Sequence, residues 1–400
     1  MFPQFSQWPQ YAPDEIAAAV RVLESGQVNY WSGTEGRTFE QEFASYHGAR
    51  FGVAVANGTV ALELALIARG IGPGDEVVVT PRTFLASVSS IILRGARPVF
   101  ADVDRDSGNI TPATVRPLIT KNTRAIMCVH LAGWPCDMPG FRALAEEFRL
   151  DLIEDCAQAH GATINSRPVG SFGDAAAFSF CTDKIMSTGG EGGIVLLRDA
   201  AAWRRAWSYK DHGKEWDAVH HGGHPPGFRW VHESFGTNWR LTEMQAAIGR
   251  VQLGKLQHWL ERRRNNAHML LEGLAKTPGL RLPVPEDGFC HAWYKFYAYV
   301  EPDILRSDWT RDRIMQEITR QGVPCMQGIC PEVYLEKAFE DQTPAKGDKS
   351  QSWGLRPARR LPVARELGET SLMFLIDPSL GESEMKETVR VVKKVMALAV

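Results

Sequence analysis

Short and almost wholly apolar runs alternate with helix-length segments over the first half of the chain, and this alternation constrains the fold most. The runs are FGVAVA (51–56), EVVVT (76–80), ARPVFAD (96–102), RAIMCVH (124–130) and LDLIED (150–155). Strands that are apolar on both faces are typical of a parallel sheet covered by helices on both sides. The sequence therefore predicts an α/β domain with a mostly parallel sheet.

The pattern changes in the second half of the chain. Residues 210–238 are rich in Gly, Pro, His and Trp without periodicity, which predicts a long functional loop. A long helical region from Leu241 to about Lys276 is interrupted near Gly254, and short strands and helices follow it. We predict a large α/β domain over residues 1–254 and a smaller C-terminal α+β domain over residues 255–400.

Charge and composition exclude several classes of protein. The 45 basic and 47 acidic residues nearly cancel, which argues against a polybasic nucleic-acid or membrane binder. No secretory signal is visible at the N-terminus, and no run of about 18 apolar residues could span a membrane. The seven cysteines form no Cys-x-x-Cys pair, which argues against a disulfide scaffold or a zinc ribbon. We expect a cytoplasmic protein with small-molecule partners.

Lys184 lies in AAAFSFCTDKIMSTGGEGG (175–193), after a buried-looking strand and before a turn with four glycines. A lysine in mid-chain is most often a solvated surface charge, and the glycines alone are equally typical of a hairpin. A lysine in an apolar site at a strand end can instead act as a nucleophile or a base. Lys184 is therefore a candidate catalytic residue.

Asp155 ends an apolar run at the position where open α/β sheets place their ligand crevices. An aspartate there commonly caps the next helix, but its carboxylate can also pair with a cationic ring nitrogen, as in enzymes that use pyridoxal 5′-phosphate (PLP). If the following turn is helical, Gln158 faces the same side as Asp155.

Gly58 and Thr59 follow Asn57 between a strand and a helix. Free amide groups and the positive helix dipole at such a point bind phosphate, although ordinary helix caps have the same sequence. Ser179 adds a second hydroxyl near the same crevice, unless it is a plain strand residue.

Phe84 follows the strand at 76–80 and could stack on a planar cofactor, although an aromatic residue there more often packs in the core. The segment 210–238 also carries five histidines, at positions 212, 220, 221, 224 and 232. They lie in an irregular segment without a nearby cysteine cluster, so we expect no metal site there.

Eight segments together resemble one family. They are ANGTVALELAL (56–66), GPGDEVVVTPRTFLAS (72–87), PVFADVD (98–104), VHLAGWPCDM (129–138), IEDCAQAHGA (153–162), GSFGDAAAFSFCTDKIMSTGGEGG (170–193), GTNWRLTEMQAAIGRVQL (236–253) and LPVARELGE (361–369). Over nearly the whole chain the sequence resembles the DegT-type PLP-dependent sugar aminotransferases, which have the aspartate aminotransferase fold.

The resemblance implies a role for each residue around the coenzyme ring. Lys184 would be joined covalently to the aldehyde, and Asp155 would bind the pyridine nitrogen. Gln158 would lie beside the phenolic oxygen, and Phe84 would stack on the ring.

The resemblance also implies a phosphate site and a partner. Gly58, Thr59 and Ser179 would hold the phosphate. In this family, an asparagine at the position of Asn238 reaches the phosphate in the neighbouring subunit, which implies a homodimer with shared active sites.

The implied reaction moves an amino group from glutamate or glutamine, through the pyridoxamine form, to a keto-sugar. The sugar would be nucleotide-linked and destined for a surface polysaccharide or an antibiotic, and Trp31, residues 210–235 and residues 291–299 are candidates for choosing it. Lys184 favours amino transfer, because the dehydratase branch of the family has histidine there. A PLP-dependent sugar dehydratase or epimerase and a non-catalytic regulatory relative stay open as alternatives. Many members of the family have one residue fewer between the lysine and the GEGG turn. In this chain the segment between them contains Ser187 and Thr188.

Overall fold

The structure is a computed structural model that describes residues 5–222, 227, 229–340 and 355–400. Its strands, in chain order, are β1 (Phe51–Val55), β2 (Glu76–Val79), β3 (Arg97–Phe100), β4 (Thr123–Val129), β5 (Asp151–Asp155), β6 (Thr163–Ile164), β7 (Arg167–Pro168), β8 (Ala175–Ser179), β9 (Gly193–Leu197), β10 (Leu280–Arg281), β11 (Phe289–Cys290), β12 (Phe296–Val300), β13 (Cys325–Met326) and β14 (Ser371–Phe374). Its α-helices are α1 (Pro13–Ser25), α2 (Glu35–Tyr46), α3 (Gly58–Ala68), α4 (Ala86–Leu93), α5 (Pro112–Val115), α6 (Met138–Phe148), α7 (Ala200–Lys210), α8 (Trp216–His220), α9 (Glu243–Leu274), α10 (Arg311–Arg320), α11 (Pro362–Thr370) and α12 (Glu382–Ala399).

A seven-stranded sheet forms the centre of the larger part of the molecule, with the strand order β1-β9-β8-β5-β4-β2-β3. Strand β9 runs antiparallel to both of its neighbours, and the pairs β8–β5, β5–β4, β4–β2 and β2–β3 are parallel. The predicted α/β fold with a mostly parallel sheet is confirmed. Because five strands in a row point the same way, their carboxyl ends share one edge.

The apolar runs form strands because both faces of the sheet are covered. On strand β2, Val77 and Val79 pack on the side of α3, α4 and α7, whereas Val78 packs on the opposite side with α6. All three valines are fully buried, and each such side chain contributes about 1.5–3 kcal/mol of hydrophobic stabilisation. Helices α2 and α9 cover the rest of that second face.

A second sheet, with the order β10-β12-β14-β13, has antiparallel pairing throughout. It packs with α10, α12 and the C-terminal part of α9 in a separate core. A small three-stranded sheet has the order β11-β6-β7.

Helix α9 is continuous from Glu243 to Leu274, so the predicted interruption near Gly254 is wrong. Glycine in a helix costs only about 1 kcal/mol relative to alanine. Packing of α9 against α1 and α2 before Gly254, and against α12 after it, offsets that cost. The two domains over residues 1–254 and 255–400 stay a prediction. Helix α9 runs across the predicted boundary between them.

Among the described residues after the end of α7 at Lys210 and up to residue 238, helix α8 is the one helix or strand, and the composition did not predict it. Isolated bridges join Asp211 to Asn238 and Lys214 to His232. Residues 223–226 and 228, and with them His224, lie outside the described residues. Of the helices described, none is long and apolar enough to cross a membrane.

Candidate active site

The carboxyl edge of the large sheet brings together most of the predicted site residues. Asp155 is the last residue of β5 and Ser179 the last of β8, two adjacent parallel strands. Gly58 begins helix α3 after β1, and Phe84 follows β2. Lys184 lies on the loop that leaves β8, close enough for its ammonium group to act on the Asp155 carboxyl.

Asp155 is buried and held by hydrogen bonds. The Ser87 hydroxyl donates to Oδ2 at 2.7 Å, and the backbone N–H of Ala157 donates to Oδ1 at 3.1 Å. Burial raises the pKa of the Asp155 carboxyl, while these hydrogen bonds and the Lys184 ammonium partly oppose the shift. The described chain directly after Asp155 forms turns and then β6, not a helix, so Asp155 does not cap a helix. A buried carboxylate of this kind suits a cationic ring nitrogen.

Gln158 fixes the loop that follows β4. Its Oε1 accepts a hydrogen bond from the backbone N–H of Ala132 at 2.7 Å, which leaves its Nε2 as a donor. Ala132 has a positive φ of 56°, an uncommon conformation for a residue with a side chain. The same loop accepts the backbone N–H groups of Ala292 and Tyr294, each at 2.9 Å, and so ties the segment before β12 to the site.

The start of α3 has the shape of a phosphate cradle. The backbone and side chain of Asn57 accept the N–H groups of Ala61 and Val60, which leaves those of Gly58 and Thr59 for a ligand. A Cβ added to Gly58 would lie 2.5 Å from the Ser179 Cβ and 2.8 Å from its Oγ. Glycine is therefore required for this close approach, and the donor set fits the phosphate of PLP.

Phe84 and Lys184 are both placed for contact with a ligand. The Phe84 side chain is 64% exposed, so the core-packing alternative is wrong. The Lys184 side chain is only 16% exposed, so it is not a solvated surface lysine. Its Nζ lies 3.7 Å from Asp183 Oδ1 and 5.2 Å from the centre of the Tyr294 ring. Trp8 Nε1 donates to the Lys184 carbonyl oxygen at 2.7 Å.

Two of these contacts were not predicted, because their residues are distant in sequence. Ser87 reaches Asp155 across 68 positions, and the Tyr294 hydroxyl, which donates to Asp183, across 111. Burial raises the pKa of Asp183, but the Lys184 ammonium and the Tyr294 hydroxyl outweigh burial and lower it. The one sequence feature that could have indicated the contact with Asp155 is the hydroxyl of Ser87 at the end of the motif TPRTFLAS.

Residues 185–188, which follow Lys184 directly, are buried. The backbone N–H of Ser187 donates to Gln252 Oε1 at 2.8 Å, and the Ser187 hydroxyl lies 3.1 Å from that of Tyr11. The Thr188 hydroxyl donates to the Glu191 carbonyl oxygen at 2.6 Å. Ser187 and Thr188 therefore hold the turn that carries Lys184.

Asn238 directly precedes Trp239 and Arg240, which pair with the end of β1: the backbone N–H of Ala56 donates to the Trp239 carbonyl oxygen at 2.9 Å, and an isolated bridge joins Val55 to Arg240. Asn238 is exposed, and its Oδ1 accepts the backbone N–H of Arg240 at 3.4 Å. The same segment exposes two large aromatic side chains, Trp230 (88%) and Phe235 (99%).

One buried cluster in the described part of the chain has the residue types of a metal site: His130, Glu154 and Cys156. His130 Nδ1 accepts the backbone N–H of Cys136 at 3.0 Å, so its Nε2 donates to Glu154 at 3.1 Å. Both Glu154 oxygens also accept backbone N–H groups, from residues 170, 172 and 173. The imidazole and carboxylate are therefore satisfied within the protein, and the cluster braces the end of β5.

Two of the histidines described in the segment 210–238 contact residues of helix α8. His220 stacks on Trp216 with ring centres 3.8 Å apart, and His221 Nδ1 lies 3.2 Å from Asp217 Oδ1.

The model of the DegT/DnrJ/EryC1/StrS aminotransferase family matches residues 9–389. The chain is 35% identical to a UDP-N-acetyl-3-dehydro-alpha-D-glucosamine 3-aminotransferase from Acidithiobacillus ferrooxidans, over 96% of this chain and 95% of that protein. It is 40% identical to an L-glutamine:2-deoxy-scyllo-inosose aminotransferase from Streptomyces fradiae, over 94% and 90%. An X-ray structure of the aminotransferase from Psychrobacter cryohalolentis matches with a TM-score of 0.94 and 53% identity, over 98% of this chain and 99% of that one.

Proposed function

The chain belongs to the DegT/DnrJ/EryC1/StrS aminotransferase family, and from this premise we propose the reaction that it performs. It is a sugar aminotransferase, and its cofactor is PLP. We propose that it moves an amino group from glutamate or glutamine to a nucleotide-linked keto-sugar, for a surface polysaccharide or an antibiotic. The observation that carries the proposal is Lys184, nearly buried beside the strand ends that carry Asp155 and Ser179.

Asp155 is the proposed partner of the ring nitrogen. When bound, PLP supplies an aldehyde that takes up the amino group and a cationic ring that acts as an electron sink. The Asp155 carboxylate holds the proton on the ring nitrogen, and the Ser87 hydroxyl keeps that carboxylate oriented. Its burial strengthens the interaction, because charges attract more strongly where water is excluded.

Lys184 is the proposed nucleophile and base. Its amine would hold the coenzyme through the aldehyde carbon and, when free, would serve as the base that moves a proton between the donor's α-carbon and the coenzyme carbon. Hydrogen bonds with Trp8 and Gln252 restrain the loop around Lys184, and holding a base in position in this way lowers a reaction barrier by about several kcal/mol.

The other proposed contacts hold the coenzyme. Gly58, Thr59 and Ser179 bind its phosphate, Phe84 packs on the ring face, and the Nε2 of Gln158 donates to the phenolic oxygen. Two observations support these assignments: Gly58 lies so close to Ser179 that only glycine fits there, and the Phe84 side chain is exposed.

We also propose a homodimer, in which Asn238 reaches the phosphate of the neighbouring subunit. The exposed Trp230 and Phe235 support this arrangement, since aromatic side chains are enriched at protein–protein interfaces. We further propose that the protein is located in the cytoplasm. Its seven free cysteines support this location, because cysteines stay reduced there.

The nucleotide-linked acceptor is supported by the Acidithiobacillus relative, whose name contains a UDP-linked sugar. The decisive experiment loads the protein with pyridoxamine phosphate and offers a panel of nucleotide-linked keto-sugars. Return of the aldehyde form, with an amino-sugar as product, supports the proposal. A dehydrated or epimerised sugar without a product amine contradicts it.

Covalent attachment through Lys184 is tested separately. Wild-type protein with PLP should show a visible absorption band, and borohydride should fix the coenzyme to the Lys184 peptide. Lys184→Ala should abolish both signals, whereas Lys276→Ala, which changes an exposed lysine, should leave them unchanged. Attachment at another lysine would refute the assignment.

A further inference from the structure

Asp183 lies directly before Lys184, and its carboxylate is the one carboxylate of the described residues within 4.0 Å of the Lys184 ammonium nitrogen. The distance from Asp183 Oδ1 to that nitrogen is 3.7 Å. At this separation the two groups attract each other as charges, without a direct hydrogen bond. Asp183 therefore faces the reacting amine, although none of the proposed coenzyme contacts involves it.

The Asp183 carboxylate is anchored through its other oxygen. Oδ2 accepts the hydroxyl of Tyr294, a residue just before β12. The Lys184 nitrogen also lies 5.2 Å from the centre of the Tyr294 ring. Because Tyr294 is buried in the core, its ring and its hydroxyl are held in place. The three side chains form a triangle in which Lys184 faces both the ring and the carboxylate that the ring's hydroxyl binds.

The amine of Lys184 is withdrawn from water, and Asp183 opposes the consequence. Burial disfavours the charged form of an amine, whereas a carboxylate nearby favours it. Burial also raises the pKa of Asp183, but the Lys184 ammonium and the Tyr294 hydroxyl outweigh burial and lower it, so the carboxylate stays charged. Its side chain is 57% exposed, so water weakens the attraction without abolishing it.

Other titratable groups face Lys184 or its two partners from neighbouring segments. They are Asp155, His160, Cys181, Lys295 and, behind Tyr294, Arg263. Burial holds the pKa of His160 well below its ordinary value and raises that of Cys181, so both are neutral near neutral pH. Lys295 and Arg263 are cations, and the proposed function assigns Asp155 to the ring nitrogen. Asp183 is therefore the group suited to balance a positive charge on Lys184.

We propose that Asp183 is a positioning residue that acts through Lys184: its carboxylate, anchored by the Tyr294 hydroxyl, holds a proton on Lys184 Nζ. A proton on a nitrogen bonded to the aldehyde carbon draws electrons from that carbon and eases attack by the donor's amine. The same attraction makes the free amine a stronger base toward the donor's α-carbon. The inference rests on the proposed function and deepens it, because it assigns the residue that controls the protonation of the reacting amine.

The first test uses the protein without coenzyme and measures how fast trinitrobenzenesulfonate labels the Lys184 peptide at each pH. Only the unprotonated amine reacts, so the midpoint of the rate–pH profile reports the proton on Nζ. Asp183→Asn removes the charge and keeps the size, and it should move the midpoint down by roughly one pH unit. At a fixed pH below the midpoint, labelling should become about tenfold faster.

Further variants separate the effect of charge from that of shape. Asp183→Glu keeps the charge on a longer side chain and should recover part of the shift. Asp303→Asn removes an exposed carboxylate of another segment and should leave the midpoint unchanged. In the Asp183→Asn background, Tyr294→Phe should add no further shift, because the hydroxyl acts through the carboxylate.

The second test uses the holoenzyme and needs no turnover. The pH at which the visible band of bound PLP changes reports the proton on the same nitrogen. In Asp183→Asn this change should occur at a lower pH than in wild type, and in Asp183→Glu it should lie between the two.

A midpoint in Asp183→Asn equal to that of Asp303→Asn, or one moved to higher pH, would overturn the inference. So would a shift by Tyr294→Phe that persists in the Asp183→Asn background. If Asp183→Asn fails to fold, Asp183→Ala removes the same charge and decides by the same midpoint. Failure of the proposed function is distinct, because wild type would then lack the coenzyme band, whereas the labelling profile would still give its result.

Discussion

At Asp155, two opposing effects act on a single carboxyl. Burial raises its pKa, whereas the hydrogen bonds from Ser87 and Ala157 favour the ionised form. The position of Asp155 followed from its place at the end of an apolar run. Its orientation by Ser87 did not, because the contact depends on how helix α4 packs beside β5, which local sequence does not encode.

Replacing Asp155 tests the electron-sink role. Asp155→Ala should keep the coenzyme, which the phosphate cradle and Lys184 still hold, but lose roughly 10²–10⁴-fold in turnover. Single-turnover kinetics and the coenzyme spectrum measure the two effects. Turnover within a few fold of wild type would remove Asp155 from the mechanism.

Removing the Ser87 hydroxyl should move the acid side of the pH–rate profile. In Ser87→Ala the ionised Asp155 loses a hydrogen bond, so its already raised pKa rises further. Since the ionised form is the active one, activity should fall at a higher pH than in wild type as the solution is acidified. Ser89→Ala is the control, because Ser89 lies on the same helix and, among the described residues, its hydroxyl donates to the Ala86 carbonyl oxygen and not to Asp155. A profile equal to that of the control would contradict the argument.

At the scale of elements, the sequence pattern located the strands of the large sheet, but it did not predict features that depend on tertiary packing. The apolar runs located the strands of the parallel sheet because strands buried on both faces need such residues. The interruption near Gly254 was predicted from glycine alone and is wrong, since the contacts that stabilise α9 come from helices far away in sequence. The contact of Asp183 with Tyr294 was not predicted for the same reason, because the two residues are far apart in sequence.

Two glycine substitutions distinguish a glycine that the packing requires from one that it does not. Gly58→Ala would place a Cβ 2.5 Å from that of Ser179, so we expect a loss of about 1–3 kcal/mol in unfolding free energy and weaker coenzyme binding. Gly254→Ala has no atom within 4 Å of the added Cβ and should stabilise the protein by up to about 1 kcal/mol. Urea unfolding and coenzyme titration measure both. A neutral Gly58→Ala would mean that α3 can move away from β8.

At the scale of the whole molecule, the proposed site extends beyond one chain. The sequence predicted the domain class and the coenzyme edge, because these depend on patterns within the chain. Whether Asn238 completes a neighbour's site depends on how two chains associate, which no pattern within one chain determines. The exposed Trp230 and Phe235 near Asn238 mark the surface where that association is expected.

Mixing two inactive variants tests the shared site. If Asn238 serves the neighbouring subunit, a site in a mixed dimer of Lys184→Ala and Asn238→Ala takes its lysine from one chain and its asparagine from the other. One of the two sites then carries both lesions and the other carries none, so activity should return to roughly a quarter of wild type for random exchange. Size-exclusion chromatography and exchange of labelled subunits establish that mixed dimers form. If exchange occurs and activity stays at the level of the parent variants, Asn238 acts within its own chain, because every mixed site would then contain one lesion.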